Sequence, residues 1–377
     1  MKLDFFNTLI LLGFSQGLIL AVILLKSVAS NRSANRYLAL LLVFVSIMLL
    51  SKMILIKYPS ILLFQRLGLT EPIIFLFGPM LYKYLTLLLK QPSPKGNRWL
   101  RYLPAIVYLG FIIYTNLIPL QHYYDMLRQG EFHIPFLIVE LAALIHASYF
   151  WILSKKKISS YGNQEKKQFS FDQPAIKFAK FSNYIIGSVL LFWWIGFIGT
   201  YLIGISGFAF SYLVVWLALP LLVYVIGYYA IRQPEIFKLT KLKEIPQKKS
   251  LKKMYQRLPG PEIIDLKTKL DALLEQEKLY LDNELTMAAL AKKLETSPNN
   301  LSWLLNQIYE SNFYDFINEL RIKEFIKKVE NKEHLNKTLL ALSMDVGFNS
   351  KSTFNKSFKA FQNETPTSFI KRTVTQV

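Results

Sequence analysis

The sequence predicts an all-α protein: a seven-span transmembrane helical bundle followed by a cytoplasmic all-helical domain with two helix-turn-helix units. Three observations carry this prediction. The chain is 52% hydrophobic, yet nearly all its long apolar runs fall in residues 1–231, while 232–377 reads as an ordinary soluble sequence. Seven of those runs are long enough to cross a hydrocarbon core of ~30 Å, which takes about 20 helical residues. Near the end, a short helix, a turn and a second capped helix occur twice.

The spans are expected near 5–25, 37–56, 71–89, 102–120, 134–153, 183–204 and 208–230. The first follows a single Lys2, and its apolar run is too long for a signal peptide, so it reads as an uncleaved span. Basic residues alternate between connections. Loop 26–36 carries Lys26, Arg32 and Arg36, loop 90–101 carries Lys90, Lys95, Arg98 and Arg101, and loop 154–182 is lysine-rich. The intervening loops are poorer: Lys57 and Arg66 in 57–70, only Arg128 in 121–133, none in 205–207. Basic loops stay inside, so the N-terminus is expected outside and, after an odd number of spans, the C-terminal domain in the cytoplasm. Trp99, Tyr102, Tyr123, Tyr124, Trp151, Tyr228 and Tyr229 stand near span ends, as interfacial anchors do. Gly187, Gly196, Gly199, Gly204 and Gly207 suit close helix packing in the last two spans.

The formal net charge of +20 calls for anionic partners, lipid head groups or nucleic acid. Residues 1–231 hold 20 basic and 7 acidic side chains, residues 232–258 hold 9 and 2, and residues 259–377 hold 16 of each. The chain has no cysteine, which excludes a disulfide framework, a thiolate metal site and a cysteine nucleophile. No phosphate-cradling glycine loop and no Ser/His/Asp set is evident, so no enzyme activity, cofactor or metal is expected.

Charges within spans are costly in hydrocarbon and single out Lys52, Glu71, Glu140 and His146. A Lys–Glu pair across helices would neutralise both partners. A polar pocket open to the outside, sensing a small molecule or pH, is the other reading, with His122 and His133 flanking the same outer loop.

Residues 232–258 form a basic tether punctuated by Pro234 and Pro246, suited to anionic lipid at the inner surface. It is expected to pass a signal from span seven onward.

From Pro261 the pattern turns helical, with Ile264, Leu266, Leu270, Leu273 and Leu274 at helical spacing. Residues 286–294 form a short helix, Ser297 caps the next with Pro298 at its first position, and an amphipathic helix covers about 313–329. The unit then recurs. "KTLLALSMDV" is helical, Gly347 supplies a turn, Ser350 caps "KSTFNKSFKAF", and Asn363 suits a left-handed helix end. Thr365-Pro366 opens a last short helix. A linker of about 17 helical residues is roughly 26 Å long. With its flanking helices it can set two recognition helices about one DNA turn, roughly 34 Å, apart.

The stretches "LTMAALAKKLETSPNNLSWLLN", "FYDFINELRI" and "VGFNSKSTFNKSFK", with Thr365-Pro366, resemble the AraC/XylS-type transcriptional regulators over about 281–371. The seven-span front end resembles membrane-bound bacterial members of that group. The resemblance implies that the first recognition helix presents Asn299, Ser302 and Trp303 to the groove, and the second Lys351, Ser352, Asn355 and Lys356. The chemistry suits the second helix, since Asn can bind adenine bidentately and Lys can reach guanine or phosphate. This sequence departs from the family pattern where Glu295 and Glu310 replace glycine and Ile370 replaces arginine. Trp303 stands where arginine often reads a base; it can stack on sugar, touch a thymine methyl, or pack inside the domain.

The sequence therefore predicts three regions: 1–231 in the membrane, 232–258 as tether, and 259–377 as a DNA-binding domain. The expected setting is a bacterial inner membrane. Double-stranded DNA and the lipid bilayer are the expected partners, with room for a small-molecule signal and a homodimer. The alternative is a transporter or channel-like protein whose helix-turn-helix-derived domain serves protein interaction.

Overall fold

The computed structural model describes residues 5–26, 32–89, 98–204, 209–232 and 259–375. Among these residues every regular element is helical, and the one extended pairing is an isolated bridge between Phe169 and Thr286. The chain divides into two compact units. One comprises 1–159 with 174–240, and the other 160–173 with 241–377.

The first unit opens with α1 (Phe5–Lys26) and α2 (Arg32–Lys57), with the Ser46 hydroxyl donating to the Phe14 carbonyl at 3.2 Å. α3 (Ile61–Leu67), a tight turn over Gly68–Ile73 and α4 (Ile74–Leu88) follow as one helical stretch. α5 (Leu103–Leu117), α6 (Leu120–Gln129), α7 (His133–Glu165), α8 (Pro174–Phe197) and α9 (Ala209–Arg232) complete the series. Gly187 lets α8 approach α7 closely: a Cβ there would lie 2.7 Å from the Trp151 ring, whose N–H donates to the Asn183 carbonyl at 2.8 Å.

Five stretches, Asn7–Lys26, Arg32–Lys57, Ile61–Leu88, His133–Glu165 and Pro174–Ile203, are long and apolar enough to cross a membrane. This differs from the expected seven at two places. α5 and α6 would count as a sixth span, but they are bent by 115° where a straight fourth span was expected. Pro119 explains the bend. It pushes Ile118 into extended backbone (φ −68°, ψ 133°), and the fifteen residues of α5, at 1.5 Å each, reach only about 22 Å. The expected seventh span lies in α9, of which Trp216–Ile226 forms a shorter apolar helix among the described residues. Loop boundaries shift as well. Much of 57–70 is helical, and the expected loop 154–182 shrinks because α7 continues to Glu165 and α8 begins at Pro174. The tether, 233–258, lies outside the described residues.

The second unit contains α10 (Gly260–Gln276), α11 (Met287–Lys293), α12 (Pro298–Gln307), α13 (Phe313–Glu330), α14 (Leu339–Asp345), α15 (Lys351–Gln362) and α16 (Pro366–Thr375). It has two cores. Leu266, Leu270, Leu290, Leu301 and Leu304 meet Phe313 and Ile317 in the first; Ile322, Phe325, Leu342, Phe354 and Phe358 form the second. α13 thus contributes its start to one core and its end to the other. Ile264, expected on the apolar stripe of α10, is 69% exposed, because the buried stripe runs through Leu266, Leu270 and Leu274 instead.

Candidate nucleic-acid interface

Both helix-turn-helix units begin with side-chain caps that satisfy N–H groups a helix cannot satisfy itself. Thr286 accepts from the Ala289 amide and Ser297 from the Asn300 amide; Thr338 accepts from Ala341 and Ser350 from Thr353. The turn of the second unit passes through Gly347 at φ 92°, where a Cβ would lie 2.7 Å from the Leu281 carbonyl oxygen, so glycine is required twice over. The corresponding turn of the first unit passes through Glu295 at φ 51°, and the turn after α12 through Glu310 at φ 48°. At both positions a glutamate holds left-handed backbone, in place of the glycine that adopts it freely.

α15 divides cleanly. Thr353, Phe354, Ser357 and Phe358 are buried, while Lys351, Ser352, Asn355, Lys356 and Lys359 are exposed on the opposite face. Lys351, Lys356 and Lys359 form no ion pair with a carboxylate among the described residues. Three free cations around an amide on one helix face make a surface for a phosphate backbone and base edges.

α12 is less open. Asn299 and Ser302 are half-buried. The Asn306 amide donates to the Ser302 carbonyl at 2.6 Å. Trp303 packs against the first core, which favours the interior role among those the sequence left open.

Sequence reasoning did not find residues 165–173, which belong to the same compact unit as the two helix-turn-helix motifs. This strap closes on itself where the Gln173 amide donates to Glu165 Oε1 at 2.8 Å. Its carbonyls meet amides at helix starts. The Met287 amide at the start of α11 donates to Gln168 O at 2.9 Å, and the Tyr314 amide at the start of α13 donates to Lys166 O at 3.0 Å. Thr353 Oγ1, in the first turn of α15, donates to Asp172 Oδ2 at 3.0 Å, and the Tyr314 hydroxyl reaches the same oxygen at 3.5 Å. Lys166 pairs with Asp315 at 3.6 Å.

At the centre is Arg321, 1% exposed, midway along α13 between the two cores. Its guanidinium donates to Tyr280 O (2.6 Å), Ser170 O (2.9 Å), Asn318 Oδ1 (3.1 Å), Ser170 Oγ (3.0 Å) and Asp282 O (2.6 Å). Every edge of the fork is occupied, which is what makes a buried cation tolerable. Burial pulls its pKa down to about 10, still far above neutrality. Two sequence signals pointed here. Gln168, Phe169, Ser170, Phe171 and Asp172 alternate polar and apolar, the period of an extended segment, and Arg321 sits on the stripe Ile317–Arg321–Phe325.

The first unit contains a cavity of about 500 Å³, within the size range of small-molecule sites. Glu71 and Glu140 both line it. The Trp193 indole donates to Glu140 Oε1 at 2.9 Å, while Glu71 has no hydrogen-bond or ion-pair partner among the described residues. Four further lining groups are buried with no partner: the Tyr84 and Ser182 hydroxyls, Gln65 Oε1 and Asn183 Oδ1. Lys52 and His146 do not line the cavity. The Lys52 ammonium sits 5.0 Å from the Trp216 ring centre, and no salt bridge joins it to a carboxylate among the described residues. His146 Nε2 lies 3.1 Å from the Arg101 carbonyl, its ring wedged between Phe75 and Phe150. No cluster of three or more metal-ligating side chains occurs among the described residues.

Two helix-turn-helix units on a shared central helix define a DNA-binding class of domain. Residues 290–372 match the family described as a helix-turn-helix domain, a match that takes in all but the first turn of α11 and runs into α16. It supports a DNA-binding transcription regulator of the AraC type. No curated protein and no solved structure resembles the chain closely enough to count as a match.

Proposed function

We propose that this protein is a membrane-embedded, sequence-specific DNA-binding regulator of transcription. The single observation that carries the DNA-binding part is the exposed face of α15, with Lys351, Ser352, Asn355 and Lys356 presented together inside a stretch that matches a helix-turn-helix family. Lys351 and Asn355 read bases, and Lys356 and Lys359 hold phosphate. Asn299 and Ser302 contribute contacts from α12, with Trp303 supporting them from within. The long apolar stretches anchor the chain in a bacterial inner membrane, with the N-terminus outside and the DNA-binding unit in the cytoplasm.

The cavity in the first unit receives the signal. Its walls are mostly apolar, and its polar groups include Glu71 and the amide oxygens Gln65 Oε1 and Asn183 Oδ1, which only accept, beside the Tyr84 and Ser182 hydroxyls. An apolar molecule with one donating or cationic end matches that lining. A signal acts only through a difference in its affinity for two arrangements of the chain. The same cavity beside a bent helix pair also suits a solute path; accumulation of a labelled solute in vesicles would favour that second reading.

The experiment is selection of bound sequences from random duplexes by the full chain in lipid nanodiscs. Recovery of one enriched motif is expected, and K351A with N355A should abolish the enrichment. If no motif is enriched at low salt, the DNA-binding reading fails. Protease access from the outside to residues 259–377 would overturn the orientation.

A further inference from the structure

We infer that the strap 165–173 is the control element of the DNA-binding unit, linking the helices α7 and α8 to both helix-turn-helix motifs. The inference rests on the reading above and names how the interface is regulated. In the linear sequence the strap belongs to the apolar half: α7 runs directly into it and α8 leaves directly from it. In space it is part of the DNA-binding unit.

The contacts are placed where they control geometry. An α-helix leaves its first amides without internal partners. The strap supplies carbonyls to two such amides, Met287 of the first motif and Tyr314 of the linker helix. Its third attachment, Asp172 to Thr353, is in the first turn of α15, between Ser352 and Asn355. A carboxylate at a helix start also favours the helix dipole. One short segment therefore touches the first motif, the central helix and the base-reading helix. Arg321 rivets it down through both the carbonyl and the hydroxyl of Ser170.

The ends of the strap are tied by the Glu165–Gln173 hydrogen bond, so it moves as a loop rather than a slack chain. A shift of α7 or α8 displaces that loop. The displacement strips the amide partners from α11 and α13 and releases the start of α15, so that the two recognition helices no longer hold one spacing. The control path is thus the α7–strap–α8 hairpin.

The test uses the full chain in nanodiscs of short-chain and long-chain phosphatidylcholine, because bilayer thickness changes the tilt of spanning helices. The probe is the duplex recovered by selection. Wild-type affinity should differ between the two bilayers by about fivefold, the low end of ordinary coupling between sites. A slack variant, with Gly-Ser-Gly inserted after Gln164 and again after Gln173, should bind the duplex but lose the difference. A matching insertion beside Pro246 should keep it. Hydrogen exchange in the same samples reads docking directly: the Met287 and Tyr314 amides should stay protected in the slack variant, and D172A should speed exchange at the start of α15. Equal wild-type affinity in both bilayers would overturn the inference, as would a difference that survives the slack insertions. Failure to recover any duplex would instead count against the DNA-binding reading, while the exchange pattern would still report on the strap.

Discussion

Arg321 donates to the carbonyl and the hydroxyl of Ser170, at 2.9 and 3.0 Å, although the two residues are 151 positions apart in the chain. The fork also takes the Tyr280 and Asp282 carbonyls, so a single side chain joins the strap, the turn before α11 and the central helix. Replacing it strands three carbonyls at once, two of them buried. R321M should destabilise the DNA-binding unit by about 2–4 kcal/mol, the scale of breaking a buried charged network. R321K, which keeps the charge but not the fork, should recover only part of that. Hydrogen exchange of α13 amides in the full chain measures both.

Glu295 and Glu310 hold left-handed backbone at φ 51° and 48°. An L-residue with a Cβ loses roughly 1–2 kcal/mol in that region, a cost glycine does not bear. E295G and E310G should therefore each stabilise the unit by about 1 kcal/mol after glycine's larger loss of chain entropy is counted. E295A should bring no such gain. Slower opening of α11 and α12 in exchange experiments is the expected readout.

The two recognition helices should respond differently to truncation. N355A and K351A on α15 should each cost about 1–3 kcal/mol of specific binding and relax preference at one base position. K356A should weaken binding to all sequences alike and lower the salt dependence by about one unit of slope. W303A should act on folding instead, since that side chain packs against the first core. A thermal melt and a binding titration on each variant separate the two effects.

Alkali should destabilise the DNA-binding unit. Burial, helped by Glu324, raises the Tyr280 phenol from 10.0 to about 12, and burial also raises Tyr309 and Tyr314. A group whose pKa is higher folded than unfolded binds more protons when folded, so its stabilisation is complete below pH 10 and drains away as pH rises toward 12. Melting temperature should fall over that window, and Y280F should flatten the fall.

Much of this molecule was legible from local chemistry. The caps at Ser297 and Ser350, the turn at Gly347 and the left-handed end at Asn363 each follow from residues within a few positions, and each stands where expected. The count of spans was less legible. Hydropathy does not register that Pro119 turns α5 away from a straight path, or that α7 continues well past its apolar part to Glu165. The surroundings of Lys52 were not legible for a related reason. Lys52 has an aromatic ring within reach, and the choice between Trp216 and a carboxylate depends on helix rotation, which no sequence window contains. The strap was invisible because its partners lie more than a hundred positions downstream. Only its alternating pattern and the misplaced arginine hinted at it.

The DNA-binding unit is discontinuous, with 160–173 folded among described residues from 259 onward. Many tethered regulators could in principle be set loose by a cut in the linker. Here scission between 232 and 258 would liberate a fragment lacking its Ser170 and Asp172, with the Arg321 fork half empty. Such a cut separates the strap from the helix starts it caps, so an intact DNA-binding unit needs the chain in one piece.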